Sequence, residues 1–273
     1  MRKLIFILGL LILLPMGRAG AQLAAPNDMG VSMGHVHLNV HDVDAAKQWF
    51  VTLGGTPVKF GPGEAVKFPG VLILLRKADP TGGSVGTVVD HFGFQVPDEQ
   101  KALAKWDAAG FKIERNATNP KQAYLYTPDN AKVEVLQDDT LTIPIKFHHI
   151  HFYVHEVKPG IDGTEPDMQI QAWYAKMFGA KPGKRAQWQA ADLPGVNLTF
   201  AKVDMSTVPT VGRAVDHIGF EVQGLEAFCK KLEANGVKFD MPYTKRPELG
   251  IALAFLTDPW GTRIELTEGL NKL

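Results

Sequence analysis

The chain has 273 residues, 45% of them hydrophobic and 21% charged, with 29 basic and 29 acidic side chains. That is ordinary globular composition, and the even charge balance excludes the basic footprint of a nucleic-acid binder. One cysteine, Cys229, excludes an internal disulfide, so a hydrophobic core must hold the fold.

In chain order, the first segment reads as an export signal. "MRK" is a basic start, "LIFILGLLILLP" is apolar but short for a membrane span, and "RAGAQ" offers an A-x-A cleavage site. Residues 1–21 are therefore expected to be removed, leaving a periplasmic or secreted chain that starts near Gln22. No later stretch is apolar for long enough to span a bilayer, so no stable membrane insertion is expected once the signal is removed.

After the signal comes "HVHLNVHD" at 35–42, which alternates histidines with apolar residues as a strand does. "DAAKQWFVTLGG" follows as a helix closed by glycine, then the strand "FPGVLILLRK". "VDHFGFQV" at 89–96 opens a second unit, with the helix "EQKALAKWDAAG" and the strand "KVEVLQ". The order then repeats. "HIHFYVHE" (149–156), "LPGVNLTFAK" (193–202), "VDHIGFEV" (215–222) and "LTDPWGTRIELTE" (256–268) answer the earlier segments one for one. The chain is a tandem duplication joined near "DDTLTIPIKF" (138–147). Its domains read as 32–138 and 146–269, each holding two units of strand, helix and about three strands. The fold class is α+β. "TDPWG" has the residues of a type I turn closing a hairpin, and Cys229 beside Phe228 reads as a small buried hydrophobe on a helix.

Alternation places Val36, Leu38 and Val40 on one face of the first strand and His35, His37, Asn39 and His41 on the other. The second half repeats this with His149, His151, Tyr153 and His155. A strand that shows three imidazoles to one side lines something polar. His41 and His155 lie about 20 Å along the strand from its first histidine, at roughly 3.4 Å per residue, and read as rim residues. His148 falls on the face opposite His149 and reads as structural.

The repeated βαβββ-like units, the "DH" strand openings and the late "IEL" resemble the vicinal oxygen chelate superfamily, which includes glyoxalases, bleomycin-resistance proteins and extradiol dioxygenases. The resemblance covers residues 35–137 and 149–267. It implies four βαβββ modules forming two open, cup-like barrels that hold a divalent metal (Fe, Mn or Zn). Carried over residue by residue, it implies metal ligands His35, His91 and Glu134 in the first half, and His149, His217 and Glu265 in the second. Two imidazoles and a carboxylate leave open coordination positions and suit such metals. The competing reading is a polar cup whose histidines only bond one another. His37 and His151 read as a general base or as groups that shape the pocket.

Two departures matter. Glyoxalases take a fourth ligand from the region that here reads "GVLILLRK" or "GVNLTFAK", where no carboxylate stands, so a three-ligand site is expected. The extradiol proton-transfer pair is also missing, with Leu249 and Phe255 at its positions and only Tyr124 kept in the first half. The resemblance then implies a metal-dependent lyase, isomerase or epimerase acting on a small molecule with vicinal oxygens, with His151 or Glu265 moving the proton. An Fe(II) dioxygenase and a binding protein that sequesters a small molecule are the alternatives. The second cup is the more polar, with Tyr153, Asn197 and Thr199, and the insertion "VKPGIDGTEPDMQ" is expected to serve as a lid or substrate loop at its rim. Residues 149–267 are accordingly expected to hold the main site.

Overall fold

The computed structural model describes residues 23–273, so the export segment read from residues 1–21 lies outside the described residues. Four units follow one another, each a strand, a helix and three strands. The first is β1 (Val31–Val40), α1 (Val43–Leu53), β2 (Thr56–Phe60), β3 (Gly63–Phe68) and β4 (Val71–Lys77). The second is β5 (Val89–Val96), α2 (Glu99–Ala108), β6 (Lys112–Arg115), β7 (Gln122–Tyr126) and β8 (Lys132–Gln137). The third is β9 (Lys146–Val154), α3 (Pro166–Phe178), β10 (Lys181–Arg185), β11 (Trp188–Leu193) and β12 (Val196–Lys202). The last is β13 (Val215–Val222), α4 (Leu225–Ala234), β14 (Phe239–Arg246), β15 (Ile251–Thr257) and β16 (Arg263–Glu268).

Local chemistry sets these boundaries. Asp42 caps α1 by accepting from the amides of Asp44 and Ala45, and Gly179 ends α3 in the left-handed region at φ 68°. Asp258 organises the β15–β16 turn, accepting at Oδ1 from the amides of Trp260, Gly261 and Thr262 at 2.8–2.9 Å. Cys229 is buried on α4 beside Phe228 and Leu232, and burial pushes its thiol up to about 11, which fits a packing role.

The strands form two eight-stranded sheets with an arrangement that the halves alone do not announce. One sheet runs β14-β15-β16-β13-β1-β4-β3-β2 and the other β10-β11-β12-β9-β5-β8-β7-β6. Each unit pairs its first strand with its own last strand in parallel, and two first strands meet antiparallel at the centre of each sheet, β1 with β13 and β5 with β9. The first unit is thus joined to the fourth and the second to the third. This corrects the expectation that each half closes a cup of its own. All four first strands carry the same apolar alternation, so any two can pair as neighbours and the sequence pattern does not choose between them.

Helices and the apolar faces of both sheets share one large core. Aromatic contacts tie the parts together. Phe68 of β3 meets Phe94 of β5 at 4.7 Å between ring centres, and Phe178 of α3 meets Phe220 of β13 at 5.0 Å. Phe94 is fully buried and also packs on Phe147 of β9. Phe94→Ala is expected to destabilise the protein by about 3–5 kcal/mol in a denaturant titration, as for other buried aromatic truncations. A change under about 1 kcal/mol would show that the contact between sheets does not support the fold.

Candidate metal centres

The concave face of each sheet gathers one cluster of donors. His91, Glu134, His149 and His151 offer ligand atoms all within 4.8 Å of one another, and so do His35, His37, His217 and Glu265. Every residue expected as a ligand is therefore in a cluster, but the grouping differs from the expected one. His149 joins His91 and Glu134, while His35 joins His217 and Glu265. The cause is the strand pairing: β9 lies beside β5, and β1 beside β13. Neither half holds a centre alone, which corrects the placement of the main site within residues 149–267. His37 and His151 bring a fourth donor to each cluster, from the first strand rather than from the region where glyoxalases place theirs.

The two clusters share a plan. His91 Nε2 and His149 Nε2 both meet Glu134 Oε2, at 2.8 and 2.9 Å. His217 Nε2 and His35 Nε2 meet Glu265 Oε2 at 2.9 and 3.0 Å. The aspartate of each "DH" pair orients its neighbour, Asp90 with His91 Nδ1 at 2.7 Å and Asp216 with His217 Nδ1 at 2.7 Å. An Nδ1–H held by a carboxylate leaves Nε2 free to ligate. Buried nitrogens without any protein partner remain: Nε2 of His151, both ring nitrogens of His37 and Nδ1 of His35. Orphaned buried imidazole nitrogens beside a carboxylate fit a divalent cation.

Close packing of backbone and imidazole makes this possible. A Cβ on Gly93 would stand 2.2 Å from His149 Cε1, and one on Gly219 would stand 2.0 Å from His35 Cε1. The glycine two places after each "DH" histidine is the seat of the opposite histidine. The sequence carries that signal in both repeats, as D-H-x-G in "VDHFGFQV" and "VDHIGFEV".

A second missed residue is His148. Between β5 and β9 the register slips where Gly93 faces His149 and Phe94 faces Phe147, leaving His148 as the extra residue of a bulge. It therefore does not take the opposite face as strict alternation predicted. Its Nδ1 lies 2.9 Å from His149 Nδ1. His149 keeps its proton on Nε2 against the Glu134 carboxylate, so its bare Nδ1 accepts and His148 Nδ1–H donates. Burial, then His149, pushes His148 down to about 3, so it stays neutral.

Beyond the donors the two cups diverge. In the cup of Glu134, a cavity of about 410 Å³ opens over the cluster, its walls drawn from residues 119–153 and 185–199. Thr199 lines it beside His151, with Tyr124 and Gln122 along β7, and Asn197 is the strand neighbour of His149. In the cup of Glu265 the corresponding side chains are Leu72 and Leu74 on β4, and Phe255 and Leu253 on β15. These join Ile251, Leu270 and others in a separate apolar cluster, and the mouth narrows where Leu249 packs over Gly61.

Side groups flank each centre. Lys132 lies over the Tyr124 ring at 4.0 Å and Arg263 over Phe255 at 4.5 Å. His41, bonded to Asp79 at 2.5 Å, and His155, bonded to the Val203 carbonyl at 3.0 Å, lie outside both clusters, as rim residues would. The insertion at 157–169 does not wall the cavity. Gln169 Nε2 ties it down by donating to the carbonyls of Lys158, Ile161 and Gly163, so it folds back on the start of α3 and is not the expected lid.

Charge within the Glu134 cup is finely set. Burial alone would raise Glu134, but the His149 and His91 hydrogen bonds hold it well below the usual carboxylate range. Burial would lower His91, yet Asp90 and Glu134 outweigh it and the ring is raised above 6.5. His151, with burial first and then His91 and His149 against it, falls to about 2. Burial, then Glu134, raises Tyr124, and burial takes Tyr153 up to about 12, so both keep their protons.

Residues 169–266 match the family model of the Glyoxalase/Bleomycin resistance protein/Dioxygenase superfamily. Among solved structures, the chain is similar to glyoxalase I from Zea mays, at 16% identity and a TM-score of 0.67, covering 89% of this chain and 94% of that one. It is also similar to a Bacillus subtilis protein described provisionally as a dioxygenase, at 13% identity and a TM-score of 0.65, covering 91% and 86%. No curated protein matches by sequence.

Two predictions follow from the packing and the charges. Gly93→Ala is expected to weaken metal binding at the Glu134 cluster at least tenfold while sparing the other cluster, by titration with Zn(II) or Mn(II) on the stripped protein. Equal loss at both clusters, or none, would refute the seating of His149 on Gly93. Burial lowers His91 but Asp90 and Glu134 outweigh it, so in the stripped protein its ring keeps a proton to higher pH than a free imidazole does, and a cation must displace it. Affinity should therefore fall as pH drops through the His91 titration, by about tenfold per unit for one competing proton. A pH-independent affinity between 8 and 6 would contradict this.

Proposed function

We propose that the chain is a member of the Glyoxalase/Bleomycin resistance protein/Dioxygenase superfamily, whose family model matches residues 169–266, and that it is a metal-dependent enzyme acting on a small molecule with two adjacent oxygens, by lyase, isomerase or epimerase chemistry. The reactive centre in this reading is His91, Glu134, His149 and His151. The observation that carries it is the cavity of about 410 Å³ over His151, whose buried Nε2 has no protein partner. In keeping with the signal read at residues 1–21, the reaction is placed in the periplasm or outside the cell.

His91, His149 and Glu134 would hold a divalent ion, which when bound supplies Lewis acidity to the paired substrate oxygens. The protein's own groups then divide the proton work. His151 is unprotonated, with its free nitrogen among the donors, and is placed to accept a proton from the carbon next to those oxygens. Its basicity is low while the cavity is empty, because burial and the neighbouring imidazoles disfavour a charged ring. Negative charge developing on the substrate reverses that balance at the moment of transfer. Tyr124 and Tyr153 remain protonated and serve as donors to those oxygens. Gln122 Nε2 donates to Glu134 Oε1, leaving Oε2 toward the two imidazoles. Trp188 sits against His151 at 5.3 Å between rings and shields it from water.

Deuterium exchange into a panel of α-hydroxy ketones, followed by proton NMR on the metal-loaded protein in D₂O, tests this reading. Exchange at the carbon bearing the hydroxyl is expected, with Glu134→Gln lowering its rate more than 100-fold and Glu265→Gln leaving it within a few-fold. Loss with Glu265→Gln alone would move the reaction to the other cup. Substrate-dependent oxygen uptake with iron, or tight binding with no exchange, would replace the proposal with a dioxygenase or a binding protein.

A further inference from the structure

The cavity of the Glu134 cup has one wall that neither the cluster nor its supports use. Arg185 ends β10 and Trp188 begins β11, and the hairpin between them places both on the cavity. Ala186, at its tip, has φ 50°, in the left-handed region that a non-glycine residue rarely adopts. The matching hairpin of the other cup turns on Gly61 at φ 55°, with Phe60 where Arg185 stands. The turn is the same and the side chain it presents is changed from apolar to cationic.

The guanidinium is held from behind. Its Nη2 donates to Asp192 Oδ1 at 2.6 Å and to Asn197 Oδ1, and Asn197 in turn donates to the His148 carbonyl at 3.2 Å. Nε, in contrast, is buried with no partner. Beside it His148, also on the cavity wall, spends its Nδ1–H on the bare Nδ1 of His149, which leaves its Nε2 without a proton. One unspent N–H donor, on a permanent cation, thus stands in the wall of a cavity shared with the metal cluster and with three aromatic rings, Tyr124, Tyr153 and Trp188. A buried N–H without a partner is an unfavourable arrangement that an acceptor on a ligand would relieve.

The geometry points to a substrate of a particular class: a small, flat molecule that carries a carboxylate in addition to its adjacent pair of oxygens, with the carboxylate received by Arg185. This rests on the Glu134 cup being the reactive one. The cavity volume lies near the lower end of small-molecule sites, roughly 300–1,000 Å³, so a single ring with one acidic group fits the scale. Arg185 here determines specificity and has no part in the proton transfer.

Three probes separate this inference from the reading beneath it. Catechol presents adjacent oxygens and no carboxylate, and it has no carbon-bound hydrogen of the kind the reaction removes. 3,4-Dihydroxybenzoate adds the carboxylate, and its methyl ester masks the charge. Calorimetric titration of the Zn(II)-loaded protein should show catechol binding, with the acid at least tenfold tighter than the ester. In Arg185→Met the acid and ester should become equal within about twofold while catechol is unchanged, and Arg185→Lys should recover part of the preference. Failure of catechol to bind, with the acid also silent, would sink the chelating reading itself. Catechol binding with no preference for acid over ester, or a preference that survives Arg185→Met, would overturn the role of Arg185 alone.

Discussion

Antiparallel pairing of first strands, β5 with β9 and β1 with β13, is the constraint on which the rest depends. It brings a histidine-bearing strand of one half against a "DH" strand of the other. It also sets a glycine opposite each incoming imidazole. Without Gly93 under His149, or Gly219 under His35, the rings would collide with a Cβ at about 2 Å and neither carboxylate could gather two imidazoles. Parallel pairing of each "DH" strand with its own last strand then supplies Glu134 or Glu265. Geometry at each centre comes from four rigid strand positions, which suits a site whose donors must converge within a few tenths of an ångström.

Duplication gave the chain two such frames, and their surroundings have moved apart. Around Glu265 the neighbouring side chains are leucines and phenylalanines in one apolar cluster. Around Glu134 they are amides, phenols and a guanidinium around an open cavity. The ligand sets are the same, so the difference in chemistry lies in what can approach them. His148 shows how small the required change is. One bulge residue, matched by Gly34 in the other sheet, puts an extra imidazole behind His149 and on the cavity wall.

Much of this was legible in the sequence, and the limits were physical. Repeated segments in fixed order revealed four units, and alternation in "HVHLNVHD" and "HIHFYVHE" put His35, His37, His149 and His151 on polar faces. All six expected ligands fall in the two clusters. Which histidine joins which glutamate was not legible, because strand pairing depends on packing between units whose apolar patterns are nearly identical. His148 was assigned to the wrong face because a bulge breaks the two-residue period without leaving a mark of its own in composition. Arg185 passed unnoticed since a charged residue at a hairpin end reads as solvated until the hairpin is seen to fold over a cavity.

The crossed arrangement of the sheets has a mechanical consequence. Each centre takes donors from both sides of the joint at 138–147, so an ion bound there would act as a latch between the two halves of the chain. Linkage makes the strength of that latch adjustable. Each tenfold rise in free metal above the dissociation constant adds about 1.4 kcal/mol to the closed arrangement at each centre. The supply of metal in the surroundings would then set how firmly the two halves grip each other as well as how many centres are loaded.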